Sequence, residues 1–76
     1  MNNTCLLQLL NNYGITTMNL ADIIDVAYST ARNRITISDF SIVEANKLSK
    51  HLNIPLADFA EILEGNKEIL KKYLIK

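Results

Sequence analysis

The feature that most constrains this chain is a pair of short apolar stripes set too close together to belong to one straight helix. Leu20, Ala21, Ile23 and Ile24 make the first stripe, over about two turns of helical period. Asp25 and Val26 then break the period. A second stretch, from about Tyr28 to Ile35, sets Ala31 and Ile35 four residues apart, one above the other on a helical face. Two helices joined by so few residues cannot lie end to end and share a core. They must cross steeply, which is the geometry of a helix-turn-helix, and residues 19–35 form the unit.

The flanks supply supports for such a unit. Leu6, Leu9, Leu10 and Tyr13 recur at helical spacing and predict a first helix near residues 3–13, stopped by Gly14. Thr16 is placed to cap the next helix through its hydroxyl. Thr36 to Phe40 reads as a loop. Ser41-Ile42-Val43-Glu44 then has the form of a capping box and opens a helix with Ala45, Leu48 and Leu52 on one face, ended by Asn53. Pro55 suits the first turn of a following helix, whose expected buried stripe is Leu56, Phe59, Ala60 and Leu63, with Gly65 or Asn66 as its stop. Residues 67–76 place Ile69, Leu70, Tyr73 and Leu74 on one helical face, so a sixth helix is expected there, with a short strand at Tyr73-Leu74-Ile75 as the alternative. The expected architecture is all-α: a compact bundle of five short helices over residues 1–65, and a C-terminal helix or tail over 66–76.

Composition narrows the function classes. At 76 residues there is material for one small domain, which has a modest core and often gains stability from a partner subunit. The single cysteine, Cys5, excludes an internal disulfide and fits a reducing cytoplasm, where it reads as a small buried hydrophobe. No apolar run reaches the ~20 residues of a membrane span, and the N-terminal residues lack the pattern of a secretory signal. His51 is the lone histidine and has no ligand spacing around it, so neither a metal site nor a cofactor is expected. No Gly-rich phosphate loop or catalytic constellation is present, and no small-molecule ligand is expected. Glu61 and Glu64 are most simply the wet face of their helix. The formal net charge is zero, but it is unevenly spread. Residues 1–31 carry only Asp22 and Asp25; Arg32 and Arg34 follow together, and Lys67, Lys71, Lys72 and Lys76 face Glu68 alone near the C-terminal end.

The order of elements resembles the lambda repressor-like (Cro/C1-type) helix-turn-helix family over roughly residues 5–64. The resemblance rests chiefly on Leu20-Ala21-x-x-Ile24-x-Val26-x-x-Ser29-Thr30-Ala31-x-x-x-Ile35. A second stretch supports it: Phe40-Ser41-x-x-Glu44-Ala45-x-x-Leu48-x-x-x-Leu52-Asn53-Ile54-Pro55-Leu56-x-x-Phe59. Three positions depart from the family pattern. Asp25 stands where Gly is usual in the turn, Thr17 where Gln is frequent, and Ala27 where a Ser or Thr cap is common. Asp tolerates the left-handed turn conformation, whereas loss of the cap costs about 1 kcal/mol.

The resemblance implies a double-stranded DNA operator as partner, read in the major groove by the helix that begins near Tyr28. Leu20 and Ile24 then point into the core, Val26 plugs the turn, and Ala31 and Ile35 anchor the reading helix from behind. Tyr28, Ser29, Thr30, Arg32 and Asn33 are the implied contacts to bases or phosphates, with Arg32 suited to guanine. Arg34, Thr16 and Thr17 are the implied phosphate contacts. One such domain reads one half-site, so the family tends to pair, and a homodimer is expected; Ile69, Leu70, Tyr73 and Leu74 suit either that dimer contact or packing of the last helix back on its own core. The expected activity is that of a Cro-like repressor. The alternatives are a protein-interaction module on the same fold and a DNA-binding antitoxin or excision factor.

Overall fold

Each of the first five helices ends by the same local device. Gly14, Asp25, Ser38, Asn53 and Gly65 all adopt positive φ, between 54° and 93°. The residue after each turns its amide back to a carbonyl five positions earlier: Ile15 to Leu10, Val26 to Ala21, Asp39 to Arg34, Ile54 to Ser49 and Asn66 to Glu61, at 2.9–3.3 Å. This satisfies carbonyls that a helix end otherwise leaves unpaired, and it turns the chain sharply. A sequence with only two glycines and one proline thereby folds into short, steeply crossing helices.

The computed structural model describes residues 4–74. The helices are α1 (Thr4–Asn12), α2 (Thr17–Ile24), α3 (Tyr28–Ile37), α4 (Ile42–Leu52), α5 (Leu56–Leu63) and α6 (Lys67–Lys71), with no strand among the described residues. The fold is all-α, as expected. Helix α2 packs on α3 and α4; α4 packs on α5; α1 and α6 close the other side of α5. One core joins them. Leu6, Leu9, Leu20, Ile24, Leu48, Phe59, Ile62 and Leu70 are its fully buried large side chains. Phe40 leans on Phe59, with ring centroids 6.0 Å apart, and so ties the α3–α4 loop to that core.

Three expectations need correction, and a fourth is resolved. First, α3 runs through Thr36 and Ile37, which read as loop in the sequence. The Thr36 hydroxyl donates to the Arg32 carbonyl at 3.0 Å, keeping the last turn helical until Ser38 ends it. Second, Pro55 sits at the N-cap of α5 rather than inside its first turn.

Third, α5 is rotated from its expected face. Phe59 and Ile62 are buried, whereas Leu56 and Ala60 are exposed. With α4 on one side and α1 and α6 on the other, Phe59 and Ile62 fill the space between, and Leu56 and Ala60 fall on the flank.

Fourth, of the two roles open to the C-terminal apolar residues, dimer contact or support of the chain's own core, they take the second. Leu70 is buried, and Ile69, Tyr73 and Leu74 pack partly buried against the same cluster. Asn66 caps α6 through its side chain, accepting from the Glu68 and Ile69 amides. The Tyr73 hydroxyl donates to Asp58 on α5, and the Asn12 amide donates to the Tyr73 carbonyl at 3.2 Å. Of the alternative strand, Tyr73 and Leu74 lie in non-strand conformation and Ile75 is outside the described residues, as are Asn3 at the expected start of the first helix and Lys76.

Candidate nucleic-acid interface

The surface formed by the start of α2 and the outer face of α3 is built from the turn upward. Thr16 has extended backbone and caps α2: its hydroxyl accepts from the Asn19 amide at 3.1 Å. The Asn19 side chain returns the bond to the Thr16 amide at 3.2 Å, completing a reciprocal box. The sequence contains the signal for this box, but with Asn in the place where Glu or Gln is usual. Thr17, the first helical residue, is half-buried. Asp25 takes the left-handed conformation at φ 59° and ends α2, and Val26 sits half-buried behind it. Ala27 precedes α3 without any side-chain cap. The first-turn amides of α3 are therefore left to solvent or to an anion, at the end of the helix where the dipole is positive.

The period of α3 decides which residues share a face. At 3.6 residues per turn, Tyr28, Ser29, Arg32, Asn33 and Thr36 fall within an arc of roughly 140°. All five are exposed, Tyr28 to 51% despite its large ring. Ala31, at 0%, and Ile35, at 9%, fall outside that arc and lock the helix to α2 and the core. Met18, two-thirds exposed near the start of α2, adds an apolar side chain that the sequence reading passed over.

Thr30 and Arg34 do not belong to that face. Thr30 is half-buried on the flank. The guanidinium of Arg34 is turned to Glu44 on α4, with Nε donating to Oε1 at 2.8 Å and Nη2 to Oε2 at 3.3 Å. This two-point pair corrects the expectation that Arg34 reaches out to phosphate: its charge is already met by a carboxylate. Glu44 also accepts from the Ser41 amide at 3.0 Å and closes the second capping box. The Arg34 hydrogen bond holds the Glu44 carboxyl below its usual range, aided by the Ser41 amide and opposed by desolvation. Glu44 in turn raises the Arg34 guanidinium. The capping role of Glu44 is legible from Ser41-x-x-Glu44, but its tertiary partner ten residues upstream is not.

Arg32 thus remains the cation on the α3 face, with two helix N-termini as further positive ends. Lys47, Lys50 and His51 are exposed elsewhere, on α4. Among the described residues no group of three or more His, Cys, Asp or Glu side chains is placed to hold a metal, and no helix is long and apolar enough to cross a membrane. No family model matches the chain, and neither does a curated protein or a solved structure.

Proposed function

We propose that the chain is a small, sequence-specific DNA-binding regulator of the lambda repressor-like type, acting by occupying an operator with α3 as its reading helix. The observation that carries this reading is the polar outer face of α3. Tyr28, Ser29, Arg32 and Asn33 point away from a helix whose back is anchored by buried Ala31 and Ile35, directly after a tight α2–α3 turn. A lone surface Arg or Asn means little. Four such residues on one face, beside an uncapped helix N-terminus, match what base and phosphate contacts require.

In this reading Arg32 forks onto a guanine, Asn33 pairs with adenine or bonds the backbone, and Tyr28 packs on a thymine methyl or bonds a phosphate. The amides and hydroxyls of Ser29, Thr16 and Thr17 take phosphate oxygens. Arg34 acts indirectly, by bracing α3 against α4. No step of this activity calls on a catalytic group or a cofactor.

The test is a binding titration of Arg32→Ala on a preferred duplex and on variants at each base position. The substitution is expected to cost roughly 1–3 kcal/mol and to relax preference at one position. Equal weakening on every sequence reduces Arg32 to a phosphate contact. The zero net charge favours a second reading, a protein-interaction module. Retention on DNA that vanishes at modest salt, with no sequence preference, supports that module over a regulator.

A further inference from the structure

The rotation of α5 leaves a groove of about 570 Å³ between the end of α3, the start of α4 and α5. Ile37, Ile42 and Leu56 stand at its sides, and the fully buried Phe59 lies beneath them. Two small residues, Ala45 on α4 and Ala60 on α5, also line it. Their missing bulk leaves a cavity where larger side chains would make a flat apolar surface. The volume is that of a pocket for a small organic molecule, roughly 300–1,000 Å³, whose apolar walls carry a few polar groups.

The polar groups here are few and alike in chemistry. Ser38 is only 6% exposed, and its hydroxyl has no hydrogen-bond partner. A buried oxygen left unpaired is costly, and a donor supplied by a ligand offsets that cost. Asp39 and Glu64 are the charged side chains of the lining, both exposed and both acidic. Arg34 senses Asp39 but does not line the groove, and its guanidinium is bonded to Glu44 at 2.8 Å. The groove therefore offers acceptors and negative charge over an apolar floor. Such a cleft repels anions and gathers cations. The ligand that suits it is apolar in body and carries donors and positive charge at one end.

We propose that this groove binds a small apolar amine. Its ring or hydrocarbon body fills the space over Phe59 that Ala45 and Ala60 leave open. Its ammonium lies at the Ser38–Asp39 edge, donating to the Ser38 oxygen and pairing with the Asp39 carboxylate, while Glu64 adds to the field. No small-molecule ligand is expected from the sequence alone, because three separate segments meet to make this site. The site stands whether or not α3 reads DNA.

Amide NMR spectra of the full chain, titrated at neutral pH with tryptamine and with indoleacetate, test this without DNA. The two probes share a ring and differ in the sign of their charge. Tryptamine is expected to bind saturably at millimolar concentration or below and to shift the Ser38, Asp39, Ala60 and Glu64 amides. It should bind about tenfold more tightly than the acid, as one charge-assisted hydrogen bond allows. Ala60→Leu should fill the groove and weaken tryptamine by about tenfold or more, with circular dichroism unchanged. Replacing both carboxylates, Asp39→Asn with Glu64→Gln, should erase the preference for the amine. Both residues are exposed, so if Ala60→Leu fails to fold this second protein decides. Shifts that map away from the groove overturn the proposal, as does an acid that binds as well as the amine. So does a folded Ala60→Leu protein that binds tryptamine like the wild type, or a preference that survives loss of both carboxylates. Silence from both probes overturns it too and hands the groove to a macromolecular partner.

Discussion

Ser38 offers a substitution whose effect can be worked from its surroundings. It ends α3 at φ 54°, a conformation that costs a residue with a Cβ roughly 1–2 kcal/mol. The other non-glycine residues in that region are Asp25 and Asn53, whose side chains tolerate it better. Ser38 is also buried, and its hydroxyl oxygen lacks a partner, a further penalty of about 1 kcal/mol or more. Ser38→Gly removes both costs. Against this stand about 0.8 kcal/mol for the lost methylene contact and ~0.5–1 kcal/mol for glycine's extra freedom in the unfolded chain. The balance is a gain of about 1 kcal/mol, or a rise of roughly 4–8 °C in melting temperature for a domain of this size. Asp25→Gly and Asn53→Gly should gain less. Thermal denaturation by circular dichroism at neutral pH reads all three. A Ser38→Gly protein that melts at or below the wild type refutes the reasoning.

Three further outcomes follow from the same contacts. Glu44 is held below its ordinary value of about 4.3 chiefly by Arg34, so its stabilising effect is present above that value and is lost as pH falls through the depressed one. Glu44→Gln should therefore melt lower at pH 7 and lose less between about pH 5 and pH 2 than the wild type does; parallel pH profiles contradict this. Leu70→Ala should cost about 2–5 kcal/mol, because the side chain is only 2% exposed; an unchanged melting temperature means that α6 is not docked. Arg34→Ala should lower thermal stability and weaken DNA binding equally on all sequences, in contrast to Arg32→Ala. A change of base preference places Arg34 on the DNA.

The parts of the fold that were legible in the sequence are those set by local chemistry. Thr16, Asp25, Ser41 and Asn53 act through their own turn of backbone, and each stands at the helix end where its side chain predicts it. The stripes of α1 and α2 also follow from spacing, since Leu6, Leu9, Leu20 and Ile24 face a core that lies to one side. The α5 stripe does not. Leu56, Phe59, Ala60, Ile62 and Leu63 are all apolar, and the choice among them is made by α1, α4 and α6, which periodicity cannot see. The same holds for the C-terminal residues, where an apolar face fits a partner as well as the chain's own core.

At the candidate interface, the outward positions of Ser29, Arg32 and Asn33 follow from helical period once Ala31 and Ile35 are placed inside, whereas Tyr28 falls near the buried side by that period and is exposed as the first residue of α3. Arg34 does not yield to the same logic. It differs from Arg32 only by 200° around α3, and its role depends on Glu44 arriving from another helix. The length of α3 was hidden for a related reason. Thr36 favours loops in isolation but here returns its hydroxyl to the helix.

The most direct test of the central claim, that the outer face of α3 reads DNA, is selection of bound sequences from a random duplex library by the wild-type chain. Enrichment of one motif with two-fold symmetry, losing its information at one base pair in each half-site when Arg32 is replaced by alanine, is the predicted result. A library that emerges without a motif, or a motif untouched by changes at Arg32 and Asn33, contradicts the account.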